Sequence, residues 1–211
     1  MYRNFLKRII DIMLSMVGII CLIPVWIVLI PAIFIDDPGP IFFTQKRVGV
    51  HNKYFKILKF RTMKVDTPHD MPTHMLENPE QYITRVGGFL RKTSLDELPQ
   101  IFNIFVGQMS IIGPRPALWN QYDLIEAREK NGADSVRPGL TGWAQINGRD
   151  EIPNEQKAAL DGEYAANISF LFDCKCFIGT IFKVFTADGV HEGGTGDMEK
   201  KEKEQQQILN K

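Results

Sequence analysis

The sequence lacks the marks of several common protein classes. It has only three cysteines, too few for a multi-bridge disulfide framework, and its four histidines are scattered without the spacing of a zinc site. The formal net charge is zero, and no segment recurs at a fixed period. These absences argue against a disulfide-stapled secreted domain, a zinc module and a solenoid. They predict reduced thiols at Cys21, Cys174 and Cys176, in a protein that faces the cytoplasm.

Charge is missing altogether from residues 12–35, a run of 24 residues. As a straight helix this run would be about 36 Å long, more than the ~30 Å hydrocarbon core of a bilayer. It is too long for the apolar region of a signal peptide and is followed by no small-x-small cleavage site. It also has no polar face, which a helix packed on the surface of a water-soluble protein requires. The run therefore predicts a membrane segment.

Two prolines decide how this segment is expected to lie in the membrane. Pro24 removes a backbone donor in mid-run and predicts a bend, and Pro31 weakens the last turn. Three basic residues place the preceding chain in the cytoplasm: Arg3, Lys7 and Arg8. If the segment crossed, the basic residues within 46–64 would lie outside the cell. A helix that bends at Pro24 and returns to the same face avoids this conflict, and a kinked single span is the alternative.

Acidic residues are missing from residues 38–65, where the chain instead carries seven basic ones. Within this stretch, residues 41–60 hold two β-rich runs, with Gly49 and Asn52 as turn formers between them, and so predict a β-hairpin. The basic patch favours phosphate, whether on lipid, nucleotide or nucleic acid. A solvated hairpin face without a ligand is the alternative. Nucleic acid is disfavoured because few aromatic residues interleave the charges.

The remaining chain reads as a mixture of helices and loops. Residues 66–82 contain three prolines and predict a surface loop, and residues 84–106 predict helices interrupted by a turn. The glycine-rich stretch 136–149 predicts another loop, after which helix resumes near Pro153. Residues 168–185 are apolar on most sides and favour either a core helix or a helix lying in the membrane interface.

The fold expected from these segments is α+β and mostly helical, with a β-hairpin, a membrane helix broken at Pro24 that is re-entrant in the favoured alternative, and interfacial amphipathic helices. Its expected division is a membrane helix over 1–36, a cytoplasmic, membrane-associated domain over 37–190 and a polar tail over 191–211.

The segment TSLDELPQIFN, residues 93–103, places Asp96 beside Glu97 between a basic and an apolar run. The letters SLDE fit a capping box, in which Ser94 caps a helix and Glu97 reaches back three residues later. Pro99 opposes this interpretation because it would remove a hydrogen bond from the same helix. A helix that starts at Pro99 avoids the cost, and the sequence alone leaves both alternatives open.

A functional interpretation of the two acids starts from the cations around them. In GPRP, two prolines flank Arg115 and stiffen the backbone, so that its guanidinium can hold a phosphate through two parallel hydrogen bonds. Carboxylates among such cations suit either ion pairs or Mg²⁺ with a phosphorylated substrate, and a carboxylate can also attack phosphorus. Four further cations are candidate phosphate ligands: Lys59, Arg91, Arg137 and Arg149. Lys59 is equally compatible with a solvated hairpin lysine.

Five motifs in order resemble the bacterial sugar transferase family, and more narrowly its small monotopic (PglC-like) phosphoglycosyl transferases. They are KRIIDIMLS, IFFTQKRVG, FKILKFRTM, TSLDELPQIFNIFVGQMSIIGPRP and VRPGLTGWAQINGR. The resemblance extends from about residue 3 to 190. It implies transfer of a sugar 1-phosphate from a UDP-sugar, often N-acetylated, to polyprenol phosphate, with release of UMP. It also implies a re-entrant helix broken at a proline, here Pro24, although Ile23 stands where small members often have serine.

The resemblance further implies roles for individual residues. Asp96 would attack the β-phosphorus of the donor and carry a phospho-sugar, while Glu97 would position Mg²⁺ or the phosphates, with both acids as candidate metal ligands. The implied location is the cytoplasmic face of the bacterial inner membrane, among phospholipids and with downstream glycosyltransferases as further partners. Trp143 is a candidate for stacking on uracil or for anchoring in an interface. The competing hypothesis is a membrane-anchored protein that binds lipid phosphate or nucleotide without chemistry.

Overall fold

A computed structural model describes residues 2–67, 79–148 and 152–186 of the chain. Within these ranges the helices are α1 (Lys7–Cys21), α2 (Ile23–Asp36), α3 (Arg85–Lys92), α4 (Gln100–Val106), α5 (Tyr122–Asn131), α6 (Trp143–Ile146), α7 (Asn154–Ala166) and α8 (Phe170–Thr186). The strands are β1 (Phe42–Val48), β2 (Tyr54–Phe60), β3 (Ser110–Ile112) and β4 (Gly139–Thr141). The described chain is therefore mixed α and β and mostly helical, as predicted. The expected tail over 191–211 and most of the expected loop over 66–82 lie outside the described residues.

The apolar amino-terminal run forms two helices with a sharp bend between them. α1 ends at Cys21 and α2 begins at Ile23, and their axes differ by 61°. Pro24 lies in the first turn of α2, where a missing N–H costs least. No single helix of the described chain is long and apolar enough to cross a membrane, whereas the bent pair meets that test when taken together. The predicted helix break at Pro24 is confirmed.

α1 presents its polar side chains to the protein and its apolar side chains to the outside. Lys7, Asp11 and Ser15, spaced four residues apart on one face, are buried. The Asp11 carboxylate accepts hydrogen bonds from the Ser110 hydroxyl at 2.8 Å and from the backbone N–H of Ile111 at 3.0 Å. The opposite face exposes apolar side chains, among them Ile9, Met13, Met16, Val17 and Ile20. This orientation is the reverse of a helix on a water-soluble protein.

The predicted hairpin is confirmed. β1 and β2 pair antiparallel, with Phe42 opposite Phe60 and Val48 opposite Tyr54. The connecting turn places Asn52 at φ 57°, in the left-handed region that asparagine tolerates better than most residues. The hairpin also brings Lys59, on β2, toward the segment that carries the two acids.

The segment around the two acids is two helices separated by a tight turn, and of the two alternatives the structure shows the helix that starts at Pro99 rather than the capping box. Ser94 adopts a left-handed conformation (φ 56°) and its side chain caps nothing. Thr84 caps α3 instead, by accepting a hydrogen bond from the N–H of Gly87 at 2.9 Å. Residues Leu95–Glu97 form one 3₁₀ turn, and α4 begins directly after Pro99. The alternative start at Pro99 avoids the loss of a helical hydrogen bond, which explains the outcome.

The glycine-rich stretch is more ordered than a loop. It contains β4, which pairs in parallel with β3 (Ser110 opposite Gly139, Ile112 opposite Thr141), and the short helix α6. The two backbones approach so closely that a Cβ on Gly139 would lie 2.1 Å from the nitrogen of Gly113. The glycines therefore serve close packing, and this contact fixes the start of the GPRP segment.

α8 packs into the core along one side only. It buries Asp173 and Cys176 on that side and exposes Phe170, Leu171 and Phe182 on another. The exposed apolar face favours the other alternative, a helix that lies in a membrane interface, which stays a prediction.

Two neighbouring glycines in α3 give a matched test of the packing that carries the acidic turn. A Cβ on Gly87 would lie 2.0 Å from the backbone oxygen of Thr62, whereas a Cβ on Gly88 would meet nothing closer than 3.8 Å. We expect Gly87→Ala to lower the free energy of unfolding by about 1–3 kcal/mol because backbone must shift. Gly88→Ala should raise it by up to about 1 kcal/mol through helix propensity. Denaturant titration in detergent measures both, and equal effects would contradict the packing described.

Candidate active site

Four predicted residues meet at one place, where the 3₁₀ turn, β2 and the GPRP segment converge. The Lys59 ammonium lies 2.8 Å from Oε1 of Glu97 and 3.5 Å from Oδ2 of Asp96. The Arg115 guanidinium donates a hydrogen bond to the same Oε1 of Glu97 at 2.8 Å. The side chains of the two acids are each 13% exposed. Lys59 is 19% exposed, so it is not a solvated hairpin lysine.

The backbone that carries Arg115 is held by a second ion pair. The Arg128 guanidinium donates one hydrogen bond to the Arg115 carbonyl at 3.0 Å and two to Oδ2 of Asp161, at 2.9 and 2.6 Å. Asp161 is buried, so this pair is shielded from solvent. Arg47, on β1, donates to the carbonyl of Pro116 at 3.0 Å. The successive carbonyls of Arg115 and Pro116 are therefore held by half-buried arginines, in addition to the stiffening by the two prolines.

The environment shifts the pKa values of the two acids in opposite directions. Burial raises the pKa of Asp96, and Lys59 only partly offsets this while the neighbouring Glu97 adds to it. Burial alone would also raise the pKa of Glu97, but Arg115 and Lys59 together outweigh burial and hold the pKa of Glu97 well below its usual range. Glu97 is thus favoured in its charged form within an ion-pair network, and Asp96 is the more basic carboxylate. Pairs of acids pushed apart in this way are typical of sites where each acid has its own role.

Comparison with known proteins identifies the family. The family model described as bacterial sugar transferase matches residues 2–187. A Bacillus subtilis (strain 168) protein with the name Uncharacterized sugar transferase EpsL is 37% identical over 187 residues, which cover 89% of this chain and 91% of that protein. The Exopolysaccharide production protein ExoY of Sinorhizobium fredii (strain NBRC 101917 / NGR234) is 35% identical, with 87% of each chain covered. The chain belongs to the bacterial sugar transferase family.

A longer relative has a more specific name. The UDP-glucose:undecaprenyl-phosphate glucose-1-phosphate transferase of Escherichia coli (strain K12) is 43% identical over 195 residues, which cover 87% of this chain and 41% of that protein. This sugar transferase therefore spans about two fifths of the length of that relative.

The other predicted ligands of the transferase are placed differently. Arg91 lies near enough to Asp96 to stabilise its ionised form. Arg137 donates to the carbonyl of Gly107 at 3.2 Å, at the opposite end of α4 from the acids, so the structure does not bring it to the site. Arg149 lies outside the described residues.

Trp143 is occupied by other contacts. Its indole N–H donates to Glu163 at 2.8 Å, the Lys175 ammonium lies 4.3 Å from the ring centroid, and the Phe172 ring packs edge-on at 5.0 Å. These contacts favour a packing role over stacking on uracil.

A cavity of about 390 Å³ opens beside the acids. Three charged residues line it, Glu97, Arg115 and Lys183. Apolar side chains from the bend of the amino-terminal helices, α4 and α8 form most of the rest, among them Leu22, Ile101 and Phe177. Its size falls in the usual range for small-molecule sites. The transferase thus places a charged end and an apolar groove side by side.

Proposed function

We propose that this transferase moves a sugar 1-phosphate from a UDP-sugar to polyprenol phosphate at the cytoplasmic face of the bacterial inner membrane and releases UMP. One observation carries the proposal: two adjacent, mostly buried carboxylates stand among cations at the end of an apolar groove. The names of relatives, such as UDP-glucose:undecaprenyl-phosphate glucose-1-phosphate transferase, support the same donor and acceptor classes.

The chemistry proceeds in two displacements at phosphorus. In the first, a carboxylate oxygen of Asp96 bonds to the β-phosphorus of the donor while the bond from that phosphorus to the bridging oxygen breaks, and UMP leaves with the electron pair. In the second, an oxygen of polyprenol phosphate bonds to the same phosphorus, the acyl phosphate bond breaks, and Asp96 is a carboxylate again. The raised pKa of Asp96 suits this nucleophile because a more basic carboxylate attacks better.

Both substrates are anionic, so positive charge is needed at each displacement. Lys59 and Arg115 supply it next to the carboxylates, and Arg91 adds to it near Asp96. In the first displacement these cations offset the negative charge that develops on the leaving UMP. In the second displacement the same cations bind the acceptor phosphate and offset its repulsion by Glu97.

Magnesium fits this site only with help from the substrate. In the described part of the chain no cluster of three or more His, Cys, Asp or Glu side chains could hold a metal by itself. Asp96 and Glu97 offer two carboxylates, which suits Mg²⁺ because this ion is commonly held by one or two carboxylates plus substrate phosphates. When bound, Mg²⁺ would neutralise charge on the phosphates.

Exposed apolar side chains support a membrane-bound position for the site. α1, α2 and α8 all present them, for example Ile20, Ile27, Val28, Ile178 and Phe182. Patches of this kind mark membrane or protein contacts. A bent amino-terminal helix pair that re-enters on the cytoplasmic face would set the acids at headgroup depth, where a soluble donor and a lipid acceptor can use one site in turn.

The proposal is tested by UMP release from purified protein in detergent or nanodiscs with undecaprenyl phosphate and Mg²⁺. We place UDP-glucose first in the donor panel because relatives are named for it, and UDP-galactose and UDP-N-acetylglucosamine follow. The expected result is UMP from one donor, dependent on both acceptor and Mg²⁺ for multiple turnovers. A folded protein that binds donor or lipid phosphate but releases no UMP would instead identify a binding protein without chemistry.

A further inference from the structure

Gln145, on α6, is a buried amide without a partner. Both its Nε2 and its Oε1 are withdrawn from solvent, and neither forms a hydrogen bond with any part of the chain that the structure describes. Leaving a buried polar group unsatisfied costs about 1–3 kcal/mol. Such groups are rare in native proteins, and each one calls for a ligand, a water or a functional role.

The position of Gln145 connects it to the acids. It lines the same cavity as Glu97 and Arg115, on the wall formed by α6. Two other uncharged polar groups of this cavity are already satisfied, since the hydroxyls of Thr141 and Thr180 bond to each other at 2.7 Å. Gln145 is therefore a polar group of the wall whose hydrogen-bonding capacity is left for an occupant.

We propose that Gln145 hydrogen-bonds hydroxyl groups of the transferred sugar and thereby contributes to donor recognition; this rests on the proposed function. An amide offers two donors and an acceptor, which suits hydroxyls because they both donate and accept. A phosphate only accepts and would leave Oε1 unsatisfied, and a polyprenyl chain offers no hydrogen bonds. The sugar is bonded to the phosphate whose phosphorus Asp96 attacks, so it must lie beside the acids, whereas uridine is one phosphate further away.

The test replaces Gln145 by methionine, which has similar length and no hydrogen-bonding amide. Turnover and direct binding are measured with UDP-glucose, UDP-galactose and UMP for wild type, Gln145→Met and the control Gln156→Met, an exposed glutamine on α7. We expect Gln145→Met to raise the KM and Kd for the preferred donor at least tenfold and to bring the kcat/KM values of the two donors within a few-fold of each other. UMP binding, acceptor KM and the control should be unchanged. The melting temperature should not fall, because an unsatisfied amide is removed.

Several results would overturn the inference. An unchanged donor KM and an unchanged donor preference would show that Gln145 does not contact the sugar. Weaker UMP binding with an unchanged preference would assign the amide to uridine, and a raised acceptor KM alone would assign it to the lipid phosphate. A wild type that releases no UMP from any donor would contradict the proposed function instead, and the binding of UDP-glucose relative to UMP by the two variants would then decide the inference by itself.

Discussion

Asp96→Asn should reduce UMP release by a factor of about 1,000 or more, since the amide that replaces the carboxylate is not a nucleophile toward phosphorus. The fold should survive this change. Burial opposes the charge on Asp96, as its raised pKa indicates, and Lys59 keeps its closer partner, Glu97. We therefore expect a melting temperature equal to or higher than that of the wild type. The measurement is UMP release with the preferred donor, alongside thermal unfolding in the same detergent.

A second readout separates the covalent mechanism from direct transfer. With a donor radiolabelled in the sugar and no acceptor, the wild type should retain label after denaturation, at no more than one sugar phosphate per chain, and Asp96→Asn should retain none. The matched control is Asp123→Asn, which removes an exposed carboxylate at the start of α5 and should leave both activity and labelling intact. Undiminished UMP release by Asp96→Asn would exclude Asp96 as the nucleophile. Loss of activity without any labelling of the wild type would favour direct transfer between donor and acceptor.

The features that the sequence predicted are the ones fixed by neighbouring residues. The hairpin follows from alternation and turn residues within 41–60, and the bend follows from Pro24. Glu97 and Arg115 could be singled out as candidates because adjacent acids and a proline-flanked arginine are visible as short motifs, whereas the contact of Lys59 with Glu97 was only one of two alternatives for that lysine.

Features that depend on distant partners were missed or misjudged. β3 and β4 are three residues each and their pairing joins segments far apart in the chain, so no local sequence pattern predicts them. The capping-box alternative does not form because Ser94 adopts a left-handed backbone conformation, which the letters SLDE by themselves do not indicate.

The residues that support the site also depend on distant partners and were not predicted from the sequence. Arg128 acts through the carbonyl of Arg115 and pairs with Asp161 on another helix, and Gln145 is notable only because nothing satisfies it. Burial and the neighbouring Arg115 lower the pKa of Arg47 to about 10, which again depends on tertiary contacts. The sequence marks Arg47 only as one of several basic residues in the stretch 38–65, and this pattern did not distinguish it from its solvated neighbours.

Lys7→Met should destabilise the protein by about 3 kcal/mol or more, because it leaves a buried carboxylate without its cation. The Lys7 ammonium lies 2.6 Å from Oδ2 of Asp173, and the two side chains are 9% and 10% exposed. Two tyrosine hydroxyls, from Tyr2 and Tyr164, also donate to Asp173 at 2.6 Å each. This network ties the start of α1 to α8, the two helices that carry much of the exposed apolar surface.

The control is Lys130→Met, which breaks an ion pair of nearly the same length, 2.7 Å to Glu126, on the exposed surface of α5. We expect almost no change there, since water solvates both partners and screens their attraction. Adding Asp173→Asn to Lys7→Met should recover part of the lost stability, because the uncompensated charge is removed while an oxygen still accepts from a tyrosine. Denaturant titration in detergent compares the three variants. A small effect of Lys7→Met would mean that the two hydroxyls suffice for Asp173, and the turn before α1 would then be held to α8 by the hydrogen bond from Tyr2 rather than by charge.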